Sequence, residues 1–496
     1  MSVLDKTIEA LSPTWAFKRA RFRGALAAYE AAEPSRLRKG KPDNASGDTL
    51  TARAGSTIRG YARQQEQNYD LAEGILATLV DNIIGPQGIS IEPQPRDKNG
   101  DLLPDLAKKI LELREDWKLK PEVTHEHDWP ACERLIARAW FRDGEALLQE
   151  LKGIIPSLEH GTRVPYSIEL IEADLLPMDS DKDKGITQGV ERNAWGRPLA
   201  YHMLKEHPGD LNFTHLFKNT KRISADNILH PKIVKRFKQA RGVSIFAPMM
   251  RRIEGIKDYE ESELVAARIA AAMCGYIKKG VADDYVGGDE NTDRSFKVKP
   301  GQIFDNLRPG EEVGTVDSNR PSALLEGFRD SMVRMLAAAS RGTFSSIARK
   351  YDGTYSAQRQ ELVEGFVAYK ALSQLFSSQV SYPTYRSFID MAVLSGLLKL
   401  PKDIDRHTLY DAECRGPSMP WIDPDKEAKG NERLERAGHK SPQQNIRDRG
   451  ANPRTVMDEI EAWRKEADER GLYFTTDPKH EIVPVELDTE KSVSEE

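Results

Sequence analysis

A chain of 496 residues has room for about three domain-sized units. Its 39% hydrophobic and 30% charged residues allow a sizeable core under a polar surface, and a net charge of −5 excludes a globally basic nucleic-acid binder. Any contact with DNA therefore has to be local. Cys132, Cys274 and Cys414 form no CxxC pair, which supports neither a disulfide framework nor a zinc site and points to a reducing compartment. The N-terminus lacks the apolar core of a secretion signal. The best apolar run, residues 266–277, contains Arg268 and falls short of the roughly 20 residues that cross a bilayer. The chain is expected to be soluble, intracellular at synthesis and without a membrane partner.

In chain order, residues 1–33 read as a helical basic arm around Trp15, Lys18, Arg19, Arg21 and Arg23, either a solvated amphipathic helix or a contact with a neighbour or DNA. Residues 34–57 are a connector rich in Pro, Gly, Ser and Asp. A helix over 56–84 follows, with Tyr69, Ala72, Ile75, Leu76 and Leu79 at helical spacing, and Gly85-Pro86-Gln87-Gly88 stops it. Residues 89–92 read as a short strand, then 103–118 and 128–143 as helices. The period next changes to two: residues 146–151, 166–172, 189–192 and 199–205 are expected strands, the last two joined by a turn at Asn193-Ala194-Trp195-Gly196. This mixed region ends at Ile228-Leu229-His230-Pro231.

Two long helical stretches then flank a polar, turn-rich insert. The first, residues 247–279, would span about 50 Å at 1.5 Å per residue, with Pro248 suited to its first turn. It carries Met249, Ile253, Ile256, Leu264, Ile269, Met273 and Tyr276 as a broken apolar stripe, with a run of small residues at Ala266, Ala267, Ala270, Ala271, Ala272 and Gly275. These suit either an ordinary core helix or close packing against a copy of itself. Its cations Arg251, Arg252, Lys257 and Arg268 are offset by Glu254, Asp258, Glu260, Glu261 and Glu263 and make no basic stripe. The insert, 280–321, holds Val286-Gly287-Gly288-Asp289 and Leu307-Arg308-Pro309-Gly310. A second helix is expected over 322–340, a short polar loop over 341–356, and a third long helix over 357–400, kinked at Pro383. Residues 401–440 read as irregular around Met419-Pro420-Trp421-Ile422-Asp423-Pro424. A charged helix over 452–471 precedes an acidic tail, 476–496, expected to be disordered. The fold class is α+β, predominantly helical, without internal repeats.

Chemical motifs are few. Asp179-Ser180-Asp181-Lys182-Asp183 begins like a calcium loop, but Lys184 stands where glycine is required and Val190 where the bidentate Glu belongs. His125-Glu126-His127 has the wrong spacing for two ligands on one helix face. His230, before Pro231, ends a strand with no nucleophile to pair with. No GxxxxGK[ST], GxSxG or strand-linked GxGxxG occurs. No metal or cofactor is expected. The loop Ser345-Ser346-Ile347-Ala348-Arg349-Lys350-Tyr351-Asp352-Gly353 sets Arg349 and Lys350 beside Tyr351, a combination that suits transient phosphate contact or simply a turn.

Taken together, a series of segments resembles the portal proteins of tailed bacteriophages, lambda-type family. They are Arg59-Gly60-Tyr61-Ala62-Arg63 with Asn68 and Gly85; Gly144-Glu145-Ala146; Ile168-Glu169-Leu170-Ile171-Glu172-Ala173-Asp174; Gly189-Val190-Glu191 with Gly196-Arg197-Pro198 and Tyr201. Further on come Ile228-Leu229-His230, Arg241-Gly242-Val243, Leu307-Arg308-Pro309-Gly310-Glu311, Tyr355-Ser356-Ala357-Gln358-Arg359 and Trp421-Ile422-Asp423-Pro424. The chain departs from the pattern at Thr354 and Ala357, where the family often has Asn and Ser.

The resemblance implies a ring of twelve identical subunits at one capsid vertex. It implies a wing over 1–246, stem helices at 247–279 and 322–340, a clip at 280–321, a tunnel loop at 341–356, a long wing helix at 357–400 and a crown at 401–475. Double-stranded DNA would pass through the channel, touched by Arg349, Lys350 and Tyr351 of the tunnel loop and by Arg251, Arg252 and Lys257 of the stem. Partners would be the terminase large subunit, head-completion or connector proteins, and the major capsid and scaffold proteins. The protein would be made in the bacterial cytoplasm, reside in the virion and catalyse nothing. Two other classes remain: a DNA-processing enzyme or packaging ATPase subunit, disfavoured by the missing phosphate loop, and a coiled-coil scaffold, disfavoured by the absence of sustained heptads.

Overall fold

The computed structural model of the chain describes residues 12, 14–15, 18, 43–210, 220–271, 275–279, 311–315, 324–420 and 422–472. Most of the basic arm, most of the polar insert and the acidic tail lie outside the described residues. Helices dominate, and strands occupy the middle of the first half, as expected for the α+β class.

Helix α1 (Gly47–Asn68) begins nine residues before the expected start, because Ser46 caps it by accepting from the Thr49 N–H at 3.2 Å. The single helix read over 56–84 is two: Tyr69 leaves helical geometry (φ −125°, ψ 114°), and α2 (Asp70–Ile83) restarts behind it. β1 (Ser90–Pro93) follows the Gly85–Gly88 turn, and α3 (Pro104–Lys118) and α4 (Trp129–Arg142) lie where their periodicity put them. Then come β2 (Leu147–Lys152), β3 (Tyr166–Ile171), β4 (Ile186–Thr187), β5 (Val190–Arg192), β6 (Pro198–Leu204), β7 (Thr220–Ser224) and β8 (Ile228–Leu229). They form two antiparallel sheets ordered β3-β2-β8 and β4-β5-β6-β7. The sequence reading missed β4 and β7.

The first long helix is shorter than its composition suggested. Helix α5 covers Met250–Ala271, and Gly275–Lys279 is instead strand β9, paired antiparallel with β10 (Glu311–Thr315). The register sets Lys279 and Lys278 opposite Glu311 and Glu312, a long-range pairing that the local run of small residues could not announce. The second helix, α6 (Leu325–Ser340), is as expected. The polar loop after it contains a short helix, α7 (Phe344–Ala348).

The third long helix is also divided, but not at the proline. Helix α8 (Tyr355–Gln379) ends at Val380 (φ −123°, ψ −68°), and α9 (Ser381–Leu394) carries Pro383 in its first turn. A continuous helix would drive the Pro383 ring against the carbonyl of Gln379 and leave that carbonyl without an N–H, so the chain breaks one turn earlier. Residues 401–440 are not irregular: β11 (Ala412–Arg415) pairs antiparallel with β1, and α10 (Pro424–Arg436) starts from the Asp423 cap. Helix α11 (Pro442–Asp448) precedes the charged helix α12 (Pro453–Arg470), whose ends are set by Asn452 and by left-handed Gly471.

One core joins these parts. Trp117 stacks on Tyr166 at 5.5 Å and meets Trp129 at 5.1 Å and Phe388 at 5.7 Å, and its indole donates to the Tyr166 carbonyl at 2.9 Å. Met249, Ile253 and Ile256 near the start of α5 and Val333, Leu336 and Ala337 of α6 enter the same core, so this end of the α5–α6 pair is anchored in the main body. A second, smaller core of Leu147, Leu176, Val190, Tyr201, Met203, Ile223 and Ile228 fills the β4–β7 sheet.

Candidate functional site

The loop between α6 and α8 is closely fitted. Thr343 caps α7, accepting from the Ser346 N–H at 3.3 Å, and its own N–H donates to the Tyr369 hydroxyl of α8 at 3.2 Å. Gly365 of α8 makes room for it: a Cβ there would lie 2.2 Å from the Thr343 methyl. Ser345 N–H donates to Glu361 at 3.1 Å, and the Arg334 guanidinium lies 4.7 Å from the Phe344 ring centroid. Thr354 caps α8 by accepting from Ala357 N–H at 3.4 Å, a role Asn performs equally well, so the departure from the family pattern at this position leaves the helix start intact.

The candidate residues of this loop differ in their surroundings. Lys350 is fully engaged: its amino group lies 2.7 Å from Asp330, 2.6 Å from Glu326 and 3.5 Å from Asp352. Hydrogen bonds to Asp330 and Glu326 hold its pKa above the usual lysine range. Arg349 and Tyr351 are exposed, Tyr351 by 60%. Arg349 takes a left-handed conformation at the end of α7 (φ 52°, ψ 36°), as Arg341 does at the end of α6 (φ 63°, ψ 19°), each at a strain of about 1–2 kcal/mol for a residue with a Cβ. Arg341 carries a charge at the same loop and escaped the sequence reading, which gave weight to Arg349 and Lys350 for their aromatic neighbour. The Arg341-Gly342 pair after an apolar helix was the available signal.

On α5, Arg251 is exposed and Arg252 half-buried. Lys257 instead sits over the Tyr69 ring, 4.0 Å from its centroid, and 3.9 Å from Glu261. It helps fix α5 to the α1–α2 break. Helices α5 and α6 are tied side by side by Arg329 donating to Glu260 at 2.5 Å and by the edge-on rings of Tyr259 and Phe328 at 5.2 Å.

A second polar cluster is buried. Glu145, fully buried, accepts from Arg241 at 2.8 Å, from Arg59 at 3.3 Å, from His230 at 3.0 Å and from the Gly242 N–H at 2.8 Å. Burial opposes its charge, but Arg241 and His230 outweigh burial and hold its pKa well below the carboxylate range. Burial lowers His230 to about 4, against the raising effect of Glu145, so the imidazole is neutral at pH 7 and donates through Nε2. Arg241 also donates to the carbonyls of Leu176 at 2.7 Å and Ala173 at 2.9 Å. At the rim, Arg63 and Arg142 both grip Asp143, and Arg142 and Arg138 share Glu66. The backbones cross here at close range: Gly144 has φ 88°, and a Cβ on it would lie 2.3 Å from the Val243 carbonyl carbon. A Cβ on Gly242 would lie 2.0 Å from the Gly144 oxygen.

Other candidates dissolve in the structure. Asp181 is used within its own hairpin, accepting from the Asp183 N–H at 3.2 Å and pairing with Lys184 at 3.1 Å. The His125–His127 loop is held instead by Glu122, which accepts from Glu126 N–H at 2.7 Å and His127 N–H at 3.2 Å. Glu172, Asp174 and His207 come within 4.8 Å of one another, but Arg63 at 2.6 Å and Arg59 at 3.1 Å already neutralise Asp174, which leaves little attraction for a cation.

A family model described as "Phage portal protein, lambda family" matches residues 33–372. The chain belongs to that family. A "Probable portal protein" of Halomonas phage phiHAP-1 is 24% identical over 419 residues, covering 81% of this chain and 79% of its own. Among solved structures, a chain from "Virion of native gene transfer agent (GTA) particle" aligns at 13% identity and TM-score 0.44, over 84% of this chain and 96% of its own. Another, from "Neck of native GTA particle computed with C12 symmetry", aligns at 12% identity and TM-score 0.42, over 81% of this chain and 94% of its own. Among the segments by which the sequence resembles the portal family, those holding Arg59, Arg63, Glu145, Glu172, Asp174, His230, Arg241 and Gly242 converge on the buried cluster. In this portal-family chain those segments build the scaffold, and the exposed charges of the α6–α8 loop are separate from it.

Proposed function

We propose that this chain is a portal protein: a ring of identical subunits, twelve in number, at one vertex of the capsid, through which double-stranded DNA is packaged and later leaves. The observation that carries the reading is the family match running from residue 33 to residue 372, across every element from α1 to α6 and into α8. Residues 1–246 form the wing, α5 and α6 the stem, 280–321 the clip, 341–356 the tunnel loop, 357–400 the long wing helix and 401–475 the crown. The clip receives the terminase large subunit and afterwards the connector proteins, and the wing meets the major capsid and scaffold proteins.

Surface chemistry supports a ring. Leu264 and Val265 of α5, Phe328 and Met335 of α6, and Val363 and Val367 of α8 are exposed, Val367 by 68%. Head-to-tail neighbours would cover such side chains, and a heterologous contact that closes makes a ring. The chain supplies no covalent chemistry; work comes from a separate ATP-hydrolysing motor. Arg349 and Tyr351 of the loop and Arg251 and Arg252 of the stem stand free to touch DNA, whereas Lys350 and Lys257 reach it only by giving up their present partners.

Native mass spectrometry with negative-stain imaging tests this reading. A closed ring of about a dozen subunits with a hole wide enough for duplex DNA is expected. A chain that stays monomeric even with capsid and scaffold proteins present would overturn it.

A further inference from the structure

The start of α1, the β4–β5 hairpin and Lys238 frame an open groove of about 770 Å³. Four cations line it, Arg53, Lys182, Arg192 and Lys238, against a single carboxylate, Asp48. Asp48 is already engaged, accepting from the Ala240 N–H at 2.6 Å and from Arg192 at 3.3 Å. Arg192 also donates to the Lys238 carbonyl at 3.1 Å, which ties two sides of the groove together, and its buried Nε has no acceptor among the described residues. Arg53, Lys182 and Lys238 are exposed, and none of their side chains has a hydrogen bond or ion pair among the described residues. The nearby Lys184, by contrast, is paired with Asp181 at 3.1 Å.

Two aromatic side chains stand at the rim. Trp195 lies between the lining residues Ala194 and Gly196 and is 86% exposed, and Phe237, directly before Lys238, is fully exposed. Both are carried on fixed turns. The Asn193 side-chain oxygen accepts from the Trp195 N–H at 3.0 Å and the Arg197 N–H at 2.9 Å. Arg236 donates to the Ala45 carbonyl at 2.5 Å, and the Lys235 N–H donates to Gln239 at 3.2 Å. Large apolar side chains held out beside unpaired cations mark a binding surface, and their combination narrows the occupant. A DNA duplex offers phosphates but encloses the faces of its bases, so it would use the cations and leave the rings idle. An extended acidic peptide with interleaved apolar side chains uses both.

We propose that this groove is the docking site of the chain's own acidic tail, residues 473–496. That segment holds seven carboxylates against two lysines, an excess equal to the net charge of −5 of the whole chain. The rest of the chain is therefore neutral in sum, and the unpaired cations of the groove are a matter of placement. Glu481-Ile482-Val483-Pro484-Val485-Glu486-Leu487-Asp488 sets apolar side chains between carboxylates, and Pro484 keeps Val483 extended. The tail lies outside the described residues and leaves the body at Leu472, just after α12. Extended, it spans about 80 Å, more than twice the roughly 33 Å of α1. Tethering gives it an effective concentration of about millimolar, which populates a contact that is weak between separate molecules. Any other acidic segment has to displace it. The proposal concerns a single chain and does not depend on the ring.

The test uses the full chain and a water-soluble carbodiimide, which joins a lysine amine to a carboxylate in contact, with the links mapped by mass spectrometry. Links from Lys182 and Lys238 to Glu481, Glu486, Asp488 or Glu490 are expected. They should fall at least about fivefold between roughly 0.05 and 0.5 M salt, because exposed charges are screened. Trp195→Ala/Phe237→Ala keeps every charge and should lower the same links by about threefold or more, with an unchanged thermal midpoint. Lys182→Arg/Lys238→Arg, co-produced with a Glu481→Gln/Glu486→Gln/Asp488→Asn/Glu490→Gln chain, should give no such links, because only contacts between copies could form them. The proposal is overturned if the parent gives no tail link, or if the links ignore both salt and the aromatic pair. Links restored in the co-produced variants overturn it too, by assigning the groove to a neighbouring copy's tail. It falls equally if the parent, without tail links, binds a fluorescent single-stranded oligonucleotide that Arg53→Ser/Lys182→Ser/Lys238→Ser does not bind, since the groove then serves nucleic acid.

Discussion

Glu145 and Lys350 each gather several groups of opposite charge, and their surroundings give the two clusters opposite properties. Glu145 is fully buried among Arg59, Arg241, His230 and the Gly242 N–H, drawn from segments far apart in the chain. Lys350 meets Asp330, Glu326 and Asp352 within a single loop and the helix before it, where Glu326 is 75% exposed. In the first cluster removal of one charge strands the others in a medium that does not solvate them. In the second, water replaces a missing partner, so the contacts steer a loop without holding the fold. Depth, and not the number of ion pairs, separates the buried scaffold from the surface loop.

The comparison is broken most forcefully at Glu145. Glu145→Ala is expected to destabilise the chain by about 3–5 kcal/mol, seen as a lower urea midpoint, because Arg241 and Arg59 lose their counter-charge inside the core and His230 loses its acceptor. An effect as small as that of a surface pair would place the cluster among the incidental ones. Acid probes the same site without mutation. His230 has a folded pKa of about 4 and an unfolded value near 6.5, so between those values the unfolded chain takes up a proton that the folded chain refuses. Stability attributable to this group is thus complete above about pH 6.5 and falls toward pH 4, by about 3 kcal/mol in all. The depressed Glu145 pKa adds loss in the same direction at lower pH. Thermal melts of parent and His230→Asn across pH 4–8 should show a flatter profile for the variant; parallel profiles would exclude His230 as the source.

Gly144→Ala sharpens the backbone side of the comparison. A positive φ and a Cβ at 2.3 Å from Val243 predict a loss of about 2–3 kcal/mol, readable in the same urea titration. Gly100, with φ 92° and open space around it, should tolerate alanine better, and equal losses at both sites would assign the effect to φ alone. The smallest effect belongs to Lys350→Met. Its unfolding midpoint should match the parent's, while limited proteolysis cuts the loop near Arg349 faster. A lowered midpoint with unchanged proteolysis would mean that Lys350 belongs with the buried cluster after all.

How much of this could be read beforehand follows the range of each interaction. The ends of α12 were legible because Asn452 and Gly471 act within one turn of themselves. The α8–α9 break was assigned to the right neighbourhood but the wrong residue, because the clash of Pro383 falls on a carbonyl four positions earlier. Strand β9 was read as helix because its partner β10 lies beyond a long insert, and local composition favoured the small-residue run. Arg59, Glu145 and Arg241 have no spacing that marks them as partners, being 86 and 96 residues apart. They were visible only through resemblance to a family. Lys350 showed its charge in the sequence, but not that Glu326 and Asp330 on the preceding helix had already engaged it.

The Gly144–Gly242 crossing also bears on the order in which the chain can take shape. The Glu145 carboxylate meets the Gly242 N–H across 97 intervening steps of sequence, and α5 begins only a few residues beyond. That contact has to wait until the whole β2–β8 excursion has closed on itself, because loop closure precedes any gain from a distant pairing. Until residue 242 is in place, Arg59 and Glu145 lack the Arg241 guanidinium and Gly242 N–H that close over them. Only then is the direction of α5 set. The same crossing that makes the finished fold rigid thus has to close before α5 can be laid against α6.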